Sequence, residues 1–243
     1  MYTLNNKINN QLSIWLIAMF GIISIMIVVG GLTRLTDSGL SITKWELFSG
    51  FFPPLNQDDW ILYFNLYKET SEFKLQNFDM NIQEFKVIFW WEWAHRFLGR
   101  LIGIGYLIPL IYFSIKIKIS KLINLYIIFL LICFQGFIGW YMVVSGLSER
   151  VDVSHFRLSI HLVTAFLILS LIFWNYLKIN SNNNELNKIN PIIPFLFLFL
   201  VFMQILIGAF VSGMDAGKIY NTWPAMGNSF FPDDNNELNL FRL

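Results

Sequence analysis

The chain has 243 residues, of which 56% are hydrophobic, 18% aromatic and only 14% charged, against about a quarter charged in soluble domains. With a mean hydropathy of +0.55, it is excluded from the soluble class and reads as an all-α polytopic membrane bundle. A formal net charge of +1 and a lone cysteine, Cys133, exclude a nucleic-acid binder, an intramolecular disulfide and a thiolate metal cluster. Cys133 lies in an apolar run and is expected to serve packing.

A membrane span needs roughly 20 apolar residues. The first such run, 12–32, is too long for a signal-peptide core and lacks a convincing small-residue cleavage site, so it reads as a retained helix. The Asn-rich residues before it do not resemble a mitochondrial presequence. Four more runs follow, at 87–113, 121–144, 157–177 and 192–212. Between the first two lies a long acidic segment, 33–86. The loop 114–121 carries Lys116, Lys118 and Lys121, and the Asn-rich linker after the fourth run carries Lys178 and Lys188. The positive-inside rule then puts the N-terminus and both Lys-bearing loops in the cytoplasm, and the acidic segment, the loop near 145–156 and the tail outside.

The second run contains Glu92, His95 and Arg96, and the fourth contains Arg157 and His161. Ionisable residues inside a membrane are costly and are functional candidates by default. Entering from outside, His95 sits roughly 12 Å deep and His161 roughly 9 Å, so the pair suits opposite faces of one planar haem or a metal ion. Glu92 shares a helix face with His95. It suits proton removal, or it simply pairs with Arg96. Arg96, Arg100 and Arg157 are candidates for haem propionates, since a guanidinium fork matches a carboxylate. The alternative for them, and for Arg34, is interfacial anchoring or, for Arg34, shaping the outer loop. His155, at the membrane edge, is the rival ligand. Trp90, Trp91 and Trp93 read as an interfacial aromatic belt, with haem packing as the other use. Gly99 and Gly103 form a small-xxx-small step for close approach of a helix or flat ligand.

The first and fifth runs end alike. Gly30, Asp37, Gly39 and Trp45 recur as Gly208, Asp215, Gly217 and Trp223, all offset by 178 positions. Asp37 and Asp215 are expected to hold the turn after each span. The pattern divides the chain into 1–180, a four-helix half with the histidine site, and 181–243, the start of a repeated half. A second copy of the His95 span would fall beyond Leu243, so the chain is expected to be C-terminally truncated.

Gly30-Gly31-Leu32-Thr33-Arg34-Leu35-Thr36-Asp37-Ser38-Gly39-Leu40-Ser41, with Trp45 and Pro53-Pro54, resembles the first-loop signature of the haem A synthase family in its alphaproteobacterial and mitochondrial branch. Glu84-Phe85-Lys86, Glu92-x-x-His95-Arg96 and Gly99-Arg100 match the next block. Gln135-Gly136, Gly139-Trp140, Met142-Val143, Ser145-Gly146-Leu147, Arg157-Leu158, His161-Leu162 and Tyr220-Asn221-Thr222-Trp223-Pro224 continue it in order. The resemblance implies eight spans in two halves and oxidation of a ring methyl of haem O to a formyl group, giving haem A for cytochrome oxidase. It implies His95 and His161 as iron ligands at the substrate haem, Glu92 as the catalytic carboxylate, and a haem b in the second half. Candidate partners are membrane lipid, haem O, haem O synthase, cytochrome oxidase assembly factors and further copies of the chain. The expected location is a bacterial cytoplasmic membrane. The other reading the residues allow is a bis-histidine cytochrome b acting in electron transfer.

Overall fold

The computed structural model describes residues 6–149, 153–180, 191–219, 221–222, 224–227 and 229–230. The helices are α1 (Asn6–Leu35), α2 (Gln57–Lys68), α3 (Ser71–Leu75), α4 (Ile82–Lys116), α5 (Ile123–Glu149), α6 (His155–Asn180), α7 (Ile192–Gly213) and α8 (Ala216–Ile219). Among the described residues there is no sheet, only a bridge between Met226 and Ser229. α1, α4, α5, α6 and α7 are long and apolar enough to cross a membrane, so the protein is a multi-pass all-α membrane bundle. The Asn-rich linker at 181–190, Tyr220, Trp223 and the tail from 231 lie outside the described residues.

Each spanning helix matches one apolar run of the sequence, but α4 starts five residues before its run. Its first turn is built by a capping box: the Asn81 side chain accepts from the Glu84 amide, and the Glu84 carboxylate accepts from the Asn81 amide. At 35 residues, α4 is about 52 Å long and overshoots a hydrocarbon core of about 30 Å. The overshoot is covered by α2. Trp60, Phe64 and Tyr67, spaced on one face of α2, pack with Phe85, Ile88, Phe89 and Ile42. The acidic segment is therefore partly helical, with α2 capped by Asn56 and α3 by Thr70.

α1 packs between α4 and α6, and α5 packs against the same two helices. α4 and α6 thus oppose each other across a four-helix bundle. α7 lies against α6, and Phe195, Phe197 and Phe199 face outward. The apolar core fills one end of the bundle, where Trp15, Leu16 and Met19 of α1 meet Tyr106, Leu110 and Phe113 of α4, Leu125 and Ile128 of α5, and Ile172 of α6. Pro109 in α4 has no N–H for the carbonyl of Gly105, four residues earlier. The indole of Trp15 donates to that carbonyl at 3.0 Å instead, so the proline costs the helix no orphaned acceptor.

Two expectations change. Cys133 is exposed on the bundle surface, because an apolar run in a membrane faces lipid as readily as core. The Gly99–Gly103 step is not where helices meet closely. A Cβ on Gly99 would only touch Met26 Cε at 3.6 Å, and one on Gly103 would meet nothing within 4 Å. The tight approaches are at Gly30, Gly139, Gly146 and Gly213.

The two turns that the repeat pairs are built alike. Asp37 and Asp215 both adopt positive φ, at 47° and 51°, a conformation that Asp tolerates better than most side chains. The Asp37 amide donates to the carbonyl of Arg34, and the Asp215 amide to that of Ser212, both at 3.2 Å.

Candidate functional site

Glu92 is buried to 2% exposure, and both of its oxygens accept hydrogen bonds. Arg96, one turn on, donates to Oε1 at 2.6 Å. The Ser41 hydroxyl and the Ile42 amide each donate to Oε2 at 2.6 Å. Ser41 and Ile42 belong to the loop after α1, so the carboxylate pins that loop onto α4. The loop is held from a second side, where Leu40 packs on Gly146 of α5. Three donors on one buried carboxylate is the arrangement that suits an anion. A buried ion pair of this kind is costly to break from one side, by about 3–5 kcal/mol.

The arginines serve the same loop. Arg96 also donates to the carbonyls of Ile42 and Lys44, at 2.7 and 3.2 Å. Arg100 donates to those of Glu46 and Leu47, at 2.6 and 3.0 Å, which leaves its Nη1 buried without a partner. Gly50 is needed here, since a Cβ would come within 2.6 Å of Arg100 Nη2. Arg157 donates to the Ser145 hydroxyl and lies over the Tyr141 ring at 4.5 Å. Arg34 spans the two repeated turns: it pairs with Asp37 at 2.8 Å and Asp215 at 3.0 Å, and donates to the carbonyl of Ser212 at 3.0 Å.

His95 on α4 and His161 on α6 stand on helices that oppose each other across the bundle. Each ring buries its Nδ1 with no hydrogen-bond partner. Each also faces a glycine. A Cβ on Gly30 of α1 would come within 2.9 Å of His95 Cε1, and one on Gly139 of α5 within 3.3 Å of His161 Cε1. The third histidine, His155, opens α6 and lies tilted against the rings of Phe156 and Phe210, in the seam with α7, where Gly213 admits its Cβ. His155 is thus apart from the other two. Gln135 of α5 donates to the carbonyl of His161 at 2.9 Å.

Around this site the aromatic residues of α4 form a cap with α2. Trp93 stacks on Phe97 with centroids 4.9 Å apart, and Trp90 leans on Trp60. A cleft at this level is lined by Lys44, Glu46, Tyr63, Trp93 and Arg100. Tyr63 donates to the Glu46 carboxylate at 3.0 Å. Burial, the hydrogen bond to Glu46 and the charges of Glu46 and Asp59 push the Tyr63 phenol up to about 12. Burial, followed by the charge of Glu72, pushes the Tyr67 phenol up as well.

Glu92, His95, His161 and the arginines stand out in the sequence as charged or titratable groups in apolar runs. Ser41, the Ile42 amide, Gly30 and Gln135 do not stand out in that way. Ser41 and Gly30 sit inside the first-loop signature, so a signal was present. What was missing was the 50-residue jump that brings the loop back to α4.

The sequence profile of the COX15-CtaA family, "cytochrome oxidase assembly protein", matches residues 13–242. The chain is 52% identical to a heme A synthase of Pelagibacter ubique, covering 96% of this chain and 70% of that one. It is 48% identical to that of Maricaulis maris, over 93% and 67%, and 44% identical to that of Parvibaculum lavamentivorans, over 90% and 64%. No solved structure matches. With about half its residues shared with these proteins along nearly its whole length, the chain belongs to the haem A synthase family, within the COX15-CtaA group of cytochrome oxidase assembly proteins.

Proposed function

We propose that this chain is a haem A synthase, an oxidoreductase that converts a ring methyl of haem O to a formyl group, and that the bundle of α1, α4, α5 and α6 is its substrate half. The observation that carries this reading is the pair of unpartnered imidazole nitrogens on opposing helices, each beside a glycine, with a fixed carboxylate one turn from His95. An imidazole nitrogen without a partner is the open valence that iron fills. The glycine beside each ring lets the imidazole lie against the neighbouring helix backbone, which sets the ring's position. Haem O, when bound, would supply the methyl to be oxidised, and His95 and His161 would hold its iron.

Glu92 would accept a proton as the methyl loses electrons to an acceptor outside this half of the protein and water supplies the oxygen. Ser41, the Ile42 amide and Arg96 keep its carboxylate in place, which is the pre-organisation a catalytic base needs. Arg100 retains its unpartnered Nη1 for a propionate, and Arg157 is the propionate candidate on α6. Arg96, committed to three protein acceptors, acts through Glu92 and the loop. The second half, beginning with α7, is assigned the haem b by the family resemblance. The membrane is a bacterial cytoplasmic membrane with the N-terminus inside, and haem O synthase and oxidase assembly factors are the partners.

The test is Glu92→Gln, in membranes of a host that supplies haem O. The variant should still bind haem while haem O or its alcohol accumulates. Haem A formation at the wild-type rate would remove Glu92 from the chemistry. Ser41→Ala should slow formyl production by up to about tenfold, the worth of one lost hydrogen bond, without lowering bound haem. A protein that carries only protohaem, with no haem O or A on extraction, would point instead to an electron-carrying cytochrome b.

A further inference from the structure

Gln135 stands on α5 one helical turn before Gly139, and i and i+4 share a face. Gly139 meets the His161 ring, and Gln135 meets the His161 backbone. The hydrogen bond from Gln135 Nε2 to that carbonyl fixes which way the amide points, because a carbonyl only accepts. The side-chain oxygen is therefore the atom left over, and it is buried with no partner. Joining α5 to α6 uses the nitrogen and leaves the oxygen unexplained. A buried acceptor without a donor is expensive, and within a membrane no water shares the cost.

We propose that Gln135 Oε1 accepts a hydrogen bond from an alcohol hydroxyl at the edge of the haem held between His95 and His161. The inference rests on the haem reading above. A carbonyl oxygen requires a donor, and methyl, vinyl and ionised propionate substituents offer none. Two hydroxyls satisfy it: the one on the alkyl side chain of haem O, and the one the ring methyl acquires midway through its oxidation. The chemistry is the same for both, and Gln135 is the residue that would recognise it.

Two variants test this. Gln135→Met removes donor and acceptor while keeping length. Gln135→Glu keeps an oxygen acceptor. Haem O and protohaem, which has no hydroxyl, are titrated separately into wild-type and variant protein in detergent. Expected is a preference for haem O in the wild type that falls about three- to tenfold in Gln135→Met, the worth of one hydrogen bond. Protohaem affinity should not change, and Gln135→Glu should keep the preference. This outcome assigns the side-chain hydroxyl. If the preference survives in Gln135→Met but that variant sheds hydroxymethyl haem in cells supplying haem O, the hydroxyl is the one on the ring methyl. Loss of affinity for both haems alike, or a variant with unaltered preference and no shed alcohol, overturns the proposal and leaves Gln135 as a tie between helices. Failure of the wild type to bind either haem, or binding that survives His95→Ala and His161→Ala, brings down the haem reading itself, before any Gln135 variant is compared.

Discussion

Arg34 hydrogen-bonds the carbonyl of Ser212, the residue that occupies its own place one repeat of 178 positions later. It also pairs with both aspartates of the repeated turns. The second copy has a serine where the first has arginine, so one guanidinium serves both. The contact is one-sided within a duplicated motif, and it links the loop that reaches Glu92 to the end of α7. Arg34→Met should therefore lower the thermal midpoint in detergent by an amount equal to about 1.5–3 kcal/mol, the range for hydrogen bonds to charged groups. In a cycle with Asp215→Asn the two losses should couple. Strict additivity would mean that the pair contributes nothing.

Substitutions at three glycines should differ in order. Gly30→Ala places a methyl within 2.9 Å of the His95 ring, Gly139→Ala within 3.3 Å of the His161 ring, and Gly31→Ala meets nothing within 4 Å. The visible spectrum of bound haem should shift most for Gly30→Ala, less for Gly139→Ala and not at all for Gly31→Ala. Equal shifts from Gly30→Ala and Gly31→Ala would mean that the glycines act on the helix and not on the ring.

Trp15→Phe keeps the ring in the core but withdraws the N–H from the Gly105 carbonyl that Pro109 leaves open. The expected cost is about 1–3 kcal/mol for an orphaned buried acceptor. Pro109→Ala restores the helical donor, so the double variant should recover most of the loss. Thermal unfolding of the four proteins decides it, and no recovery would contradict the exchange of donors.

Tyr63 gives the outer cap an alkaline limit. Its phenol is raised from 10.0 to about 12, so the fold favours the neutral form. That preference contributes in full below pH 10, fades as pH rises toward about 12, and is gone above it. The tyrosinate absorbance difference between wild type and Tyr63→Phe should have its midpoint near the raised value. Glu46→Gln should move it down only part of the way, because burial is the larger cause. A midpoint at 10 would contradict the cap geometry.

The five spans were legible because hydrophobic length is a local property, and so were His95 and His161, because polar residues stand out in an apolar run. The Asp37 and Asp215 turns were legible through their shared spacing. α2 was missed although Trp60, Phe64 and Tyr67 mark a helical face and Asn56 a cap; the acidic composition of the segment masked a short amphipathic signal. The partners of Arg96 and Arg100 were not readable at all. They are backbone carbonyls of Ile42, Lys44, Glu46 and Leu47, and a carbonyl carries no residue identity. Gly99 and Gly103 misled for a related reason: small residues permit a close approach, but only the fold decides where one occurs.

The pairing of Glu92 with Arg96 bears on how the protein is made. Each charge alone, at the centre of a helix leaving the insertion machinery, costs roughly 2.5–3.5 kcal/mol. Four residues apart, the two neutralise each other within a single turn, with no help from another segment. Ser41 and Ile42 join only once the intervening 50 residues have folded back onto α4. The site thus closes in an order set by sequence distance: the ion pair forms within one turn of α4, and the loop then closes over a carboxylate already in position.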